Sequence, residues 1–391
     1  MTFQRATRLN GIELSEIVQI SEAARRLRAE GRDILALSTG EPDLPTPPHV
    51  VAAAHEAALA GKTKYPPTAG VPKLRAEIAQ QAGVTLDQVV VSTGAKQVIA
   101  NAMLATLNPG DEVIMPAPYW TSYSDIVRLA GGTPVVLPCP MEQGFKLTPE
   151  QLAAAITPRT RWLMLNTPSN PSGAIYSRDE IAALAQVLAH HPQVWVLADE
   201  IYAHLSYVPF TSVAEAAPQL TDRMLIVNGV AKAWSMTGWR IGWGIGPADL
   251  IKAMITVQGQ LTSGACSISQ WASLAAITGD PALLDQRRAI FAARRALVVD
   301  ALNAIPGVTC AAPDGAFYAF PSIAGLLTEN GGRLDSDAAF CAWLLNEAGV
   351  ALVPGRAFGL AGHVRLSFAY AEDTITAALA RLTSALERTP A

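Results

Sequence analysis

The segment "AKAWSMTGWRIG" (231–242) carries two cations, Lys232 and Arg240, and these are the only charged side chains between Met224 and Ala248. Their neighbours are Trp, Met, Ile and Gly, so neither has an acidic partner nearby in sequence. A lysine stripped of water beside a second cation holds its proton less tightly, which makes it a usable amine nucleophile. An arginine eight residues further on offers a planar fork suited to phosphate or carboxylate. Solvated surface cations are the ordinary alternative. The chemistry becomes specific only if other residues converge on the same place.

Three further segments supply such residues. Thr93-Gly94-Ala95-Lys96 is a glycine turn opening a helix, and a helix start presents free N–H groups and the positive end of a dipole to an anion. "NTPSNPSG" (166–173) holds Asn170 in a loop bracketed by prolines, where a plain turn is the competing reading. "VWVLA" (194–198) runs into Asp199, with Glu200 and Tyr202 just beyond. A carboxylate closing so apolar a run needs a cation or donors in place of lost water; a structural ion pair would also serve. Together, an amine, a guanidinium, an anion-binding helix start, a carboxylate and an amide fit the demands of pyridoxal 5'-phosphate. That cofactor needs an amine for its aldehyde, a cradle for its phosphate, a carboxylate for its ring nitrogen and donors for its phenolic oxygen. The four cysteines, Cys139, Cys266, Cys310 and Cys341, lack the paired spacing of a metal site; they read as reduced thiols, and no metal is expected.

These residues can meet only if the elements bearing them end at one edge. Seven short runs, at 88–92, 112–115, 133–138, 161–166, 194–198, 224–228 and 241–246, are mostly apolar without alternation, as strands buried on both faces are. Helical patterns such as 95–107 and 179–191 lie between them. The alternation predicts an α/β fold with a mainly parallel seven-stranded sheet sandwiched by helices, and such sheets bind ligands beyond the carboxyl ends of their strands. Helices at 13–30, 282–304 and 335–348, with "VTCAAPDGAFYAF", "VALVPG" and "GHVRLSFA", suggest a smaller α+β domain built from both chain ends. The expected division is a large domain over 46–285 and a small one over 1–45 and 286–391.

A chain of 391 residues is long for one core, and with 50% apolar and 16% charged residues it reads as a well-packed globular enzyme. A net charge of -4 implies no broad basic face, which argues against nucleic acid or anionic membrane as partner. The polar start "MTFQRATRLNGIELSEI" lacks the apolar core of a signal peptide, and Gly, Pro or charge interrupts every apolar run before it could span a bilayer. A soluble, cytoplasmic protein is expected.

The residues also resemble fold-type-I pyridoxal-phosphate-dependent aminotransferases of class I/II, and among them the bacterial aspartate aminotransferases. The resemblance runs from "LALSTGEPDLPTP" through "GKTKYPPTAGVPKLR", "PGDEVIMPAPYWTSY", "NTPSNPSGAIY", "ADEIY" and "AKAWSMTGWRIGW" to "VPGRAFG" and "HVRLSFA". It implies that Lys232 is the Schiff-base lysine and Arg240, with the backbone of Gly94 and Ala95, the phosphate site. Asp199 would meet the ring nitrogen, Tyr202 and Asn170 the phenolic oxygen, and Trp120 the ring face. Arg365 would clamp the substrate α-carboxylate with Gly40 closing over it, and Tyr65 would cross a homodimer interface to the partner's phosphate. The implied reaction is a ping-pong transfer of an amino group between an L-amino acid, aspartate or glutamate, and a 2-oxo acid. A preference for aromatic or other amino acids, or a β-lyase on the same scaffold, is the alternative. A regulator carrying this fold would need an N-terminal DNA-binding domain, for which the pattern leaves no room.

The sequence departs from the family in three places. Gly229 stands three residues before the lysine, where many relatives have a phosphate-binding serine. The segment 258–270 holds no cation for a distal substrate carboxylate, which leaves Lys96 in the glycine turn, as in the bacterial subgroup, with Arg356 as second candidate. Relatives that also use prephenate tend to carry a lysine near the N-terminus, whereas "NGIELSE" here is acidic, so prephenate is not the expected substrate.

Overall fold

The structure is a computed structural model that describes residues 3–328 and 334–388; residues 1–2, 329–333 and 389–391 of the expected small domain lie outside the described residues. The seven apolar runs form one sheet. Its spatial order is Val89–Ser92, Gly242–Ile245, Met224–Gly229, Trp195–Asp199, Thr160–Asn166, Glu112–Ala117 and Thr133–Pro138. All neighbours pair in parallel except Gly242–Ile245, which runs antiparallel to the strands on both sides. That reversal matters for the site: a strand running backwards begins where its neighbours end, so Arg240, just ahead of Gly242, joins the edge reached by residues 93–96, 170, 199 and 232.

Side chains of alternate residues explain the two helical layers. Along Trp195–Asp199, Val196 and Ala198 join Ile181, Leu184 and Leu188 of helix Arg178–Ala189 on one face. Leu197 joins Val98, Met103 and Met254, from helices Ala95–Thr106 and Ala248–Leu261, on the other. Helix Arg178–Ala189 starts on a capping box, with Ser177 Oγ accepting from Glu180 N and the Glu180 carboxylate accepting from Ser177 N. Helix Ala95–Thr106 starts instead at Gly94, whose φ of 82° suits glycine. No side chain caps that start, so its N–H groups stay available.

A smaller α+β lobe joins the two ends of the chain. Leu35–Ala36 pairs in parallel with Val350–Ala351, and Val364–Ser367 lies between Val353–Pro354 and Tyr318–Ala319 in an antiparallel sheet. Leu37, Phe317, Phe340, Leu344, Leu366, Ile375 and Leu382 share its core with Phe291, Val298 and Leu302 of the long helix Ala282–Asn303. That helix ties the lobes by two arginines two turns apart. Arg294 grips Asp43 with both Nη atoms at 2.7 and 2.9 Å, and Arg287 donates to Pro45 O at 2.6 Å and Ala233 O at 3.0 Å.

Gly242 packs directly under the glycine turn. A Cβ there would overlap Ala95 N and lie 2.7 Å from Gly94 C, backbone atoms that cannot step aside. Gly242→Ala is therefore expected to cost about 1–3 kcal/mol of stability through overpacking. Gly238→Ala, where a Cβ meets nothing within 4 Å, should leave the melting temperature unchanged. Calorimetry on both variants checks the pair.

Candidate active site

The common strand edge and the small lobe enclose a cavity of about 450 Å³ lined by Gly40, Ala95, Lys96, Trp120, Asn170, Asp199, Tyr202, Lys232, Arg240 and Arg365. Gly94 completes the turn beneath it, where a Cβ would lie 2.5 Å from Arg240 Nη2. Two lines of the sequence reading fall elsewhere. Tyr65 is 94% exposed and lines a different cavity with residues 62–66 and 262–268. Arg356 lines a third, beside Glu13, Glu16 and Asp125, and pairs with Glu16 at 3.2 Å.

Asp199 is buried at the strand end. Its Oδ2 accepts from Tyr123 Oη at 2.6 Å and its Oδ1 from Ile201 N at 3.2 Å. Burial raises its pKa to about 6, against the two hydrogen bonds and the charge of Lys232, which favour the carboxylate. The next residue, Glu200, turns away and accepts from Ser212 Oγ and Val213 N. Tyr202 Oη bonds Tyr318 Oη at 2.8 Å, and burial lifts the Tyr202 hydroxyl well above its ordinary pKa, so it is a donor at neutral pH. A Cβ on Gly40 would overlap that Tyr318 hydroxyl, which accounts for a glycine at this point.

The cations are the unusual feature. Arg365 is 1% exposed, stacked 4.6 Å from the Tyr318 ring centre and 5.0 Å from that of Phe358. It donates to Asn170 Oδ1 at 2.9 Å and Ser38 O at 2.5 Å, and its Nε has no partner. Lys232 Nζ donates to Gly40 O at 2.7 Å. Burial first, then Arg365 and Arg240, lower its pKa to about 8, with Glu41 and Asp199 opposing. Arg240 has a φ of 58° and donates to Thr237 O at 2.7 Å. Lys96 lies at the mouth with Nζ 4.9 Å from the Trp120 ring centre, and its pKa is lowered by burial of its stem and by Arg240. Among the described residues none of the four forms an ion pair.

Such a cavity can bind a ligand with more than one anionic group, hold a protonated ring nitrogen at Asp199, and offer an amine that loses its proton far more readily than an ordinary lysine. Several contributors escape sequence reasoning. Tyr123 reads as a core aromatic on helix Ser122–Leu129, Tyr318 is lost in the apolar run "GAFYAF", and Ser38 acts through its carbonyl. Asn166 was signalled only by its strand end; its Oδ1 accepts from Asn170 N at 2.7 Å and its Nδ2 donates to Asp199 O at 2.9 Å, joining the two loops. Among the described residues no group of three or more His, Cys, Asp or Glu side chains could hold a metal ion, and no helix is long and apolar enough to cross a membrane.

The family model "Aminotransferase class I and II" matches residues 32–382, and the chain belongs to that family and is a transaminase. It is 50% identical to the aspartate/prephenate aminotransferase of Cereibacter sphaeroides, over 95% of this chain and 96% of that one. Its structure is similar to the crystal structure of the aspartate aminotransferase from Rhizobium meliloti, with a TM-score of 0.95 and 49% identity over 99% of this chain and 100% of that one. It also resembles the Thermus thermophilus aspartate aminotransferase with maleate, with a TM-score of 0.92 and 39% identity over 98% and 100%.

The environment of Lys232 sets a pH dependence. Its ammonium cannot attack an aldehyde, so labelling of the cofactor-free protein by a small aldehyde should rise with pH and reach half its maximum near pH 8. Arg365→Met removes a repelling charge and should move that midpoint upward, toward an ordinary lysine. Rates of adduct formation at residue 232, followed by peptide mass spectrometry, provide the check.

Proposed function

We propose that this transaminase uses pyridoxal 5'-phosphate and takes aspartate or glutamate as amino donor, working as a cytoplasmic homodimer with shared sites. The observation that carries the reading is the set of four cations without ion pairs, Lys96, Lys232, Arg240 and Arg365, gathered around one buried carboxylate. A cofactor phosphate and the two carboxylates of a dicarboxylic amino acid supply the anions such a set lacks. The relative bound to maleate, a four-carbon dicarboxylate, is in keeping with this. The expected division into a large domain over 46–285 and a small one from the flanking segments belongs to the same reading.

The roles follow from chemistry. Bound here, the cofactor offers an aldehyde carbon for exchange of amines and a ring that withdraws electrons from the substrate α-carbon. Lys232 would carry it covalently, and its Nζ, once released as a free amine, would take the α-proton and return it. Asp199 would hold the proton on the ring nitrogen. Arg240 and the N–H groups at Gly94 and Ala95 would hold the phosphate, helped by the partner's copy of Tyr65, whose exposure agrees with a reach to another subunit. Tyr202 and Asn170 would meet the phenolic oxygen and Trp120 the ring face. Arg365, with Gly40 above it, would bind the α-carboxylate. Lys96 would read the distal one, since Arg356 is engaged by Glu16 in the neighbouring cavity.

A charge-assisted hydrogen bond is worth roughly 1.5–3 kcal/mol, so Lys96→Ala should cut kcat/KM for aspartate by about ten- to a hundred-fold. Efficiency toward phenylalanine should hardly change. Arg365→Ala should harm both amino acids alike, because both present the same α-carboxylate. Steady-state kinetics at saturating cofactor decide it: parallel losses for Lys96→Ala would remove the distal-carboxylate role and leave Arg356 to be tested.

A further inference from the structure

Gln258, on helix Ala248–Leu261, is wholly buried, where an uncharged apolar side chain would be the usual occupant. Its amide uses its full hydrogen-bonding capacity of two donors and two acceptor positions. Oε1 accepts from Ser92 Oγ at 2.5 Å and Asn101 Nδ2 at 3.0 Å, while Nε2 donates to Thr68 O at 2.6 Å and Val91 O at 2.9 Å. The partners belong to three segments. Val91 and Ser92 end the strand that leads into the Gly94 turn, Asn101 is on the helix that the turn opens, and Thr68 is three residues beyond Tyr65. The loop after Tyr65 is pinned again nearby, by Val91 N to Ala69 O at 2.9 Å and by Val71 N to Gln270 Oε1 at 2.6 Å.

We infer that Gln258 is a positioning residue that fixes the Tyr65 loop, which serves the partner subunit's phosphate site, against the Gly94 turn that serves its own. The inference rests on the proposed role of Tyr65 across a dimer. A single rigid amide joined to both segments makes the two halves of the shared site move together. Packing alone does not call for an amide here, since it could be met by a methionine of similar volume. That methionine would leave the Thr68 and Val91 carbonyls without their shared Gln258 donor, and the loop would be tied to the strand more loosely, through the Val91–Ala69 bond and the Val71–Gln270 contact.

The test is a double-mutant cycle on affinity for pyridoxal phosphate, measured by absorbance titration of cofactor-free protein, with the dimer dissociation constant from sedimentation as second readout. Tyr65→Phe alone should weaken cofactor binding about tenfold, and Gln258→Met should weaken both binding and dimer. The double variant should bind far better than the product of the single losses, because the Tyr65 hydroxyl contributes little once its loop is loose. Should Gln258→Met fail to fold, Ser92→Ala cuts one strut of the same amide and should give a smaller loss with the same lack of multiplication. Losses that multiply, or a lower melting temperature with cofactor affinity and dimer constant intact, would overturn the inference. Unchanged affinity in Tyr65→Phe would instead overturn the Tyr65 reading, and the inference with it.

Discussion

Like charges repel, and this molecule holds four of them around one cavity. Part of the cost is visible in Lys232, whose pKa is brought down to about 8 by burial first and then by the charges of Arg365 and Arg240. Fold features that oppose the cost become intelligible together. Arg365 is wedged between two aromatic rings, and Lys232 and Arg240 each donate to a backbone carbonyl, of Gly40 and Thr237. Any ligand that brings negative charge stabilises the folded chain by mass action, and more strongly the tighter it binds. Binding energy and structural stability are then two aspects of one electrostatic imbalance.

The sheet was legible because parallel strands covered on both faces leave unbroken apolar runs, and each of the seven matched a strand to within a few residues. The direction of Gly242–Ile245 was not legible, because "IGWGIG" reads the same whichever way its neighbours run. Its glycines are explained only by what lies against them, the Ala95 backbone at Gly242 and Val98 at Gly244. Pairing between distant ends, as of Leu35 with Val350, is equally silent in a local pattern.

The candidate site divides in the same way. Lys232 and Arg240 stood out from the absence of acids around them, and Asp199 from the apolar run before it. Arg365 and Gly40 were legible only through resemblance, because an arginine in "HVRLS" looks like any ion-pair former until its burial without a carboxylate is seen. Tyr123 and Tyr318 escaped altogether: each is an aromatic within an apolar stretch, and what distinguishes it is a single hydroxyl aimed at Asp199 or Tyr202.

The pairing of Leu35–Ala36 with Val350–Ala351 also orders events in time. A chain growing from its N-terminus makes the first strand of the small lobe early and its mate late, with the whole seven-stranded sheet synthesised in between. Entropy of closing so wide a loop grows only with the logarithm of its length, so the wait adds little to the cost of joining them. During that wait everything from Gly94 to Arg240 already exists, whereas Arg365 has not been made. The sheet edge that gathers Lys96, Asp199, Lys232 and Arg240 is thus older, in the life of each molecule, than the guanidinium on the facing lobe, and the Ser38 carbonyl remains without that donor until translation nears the C-terminal helix.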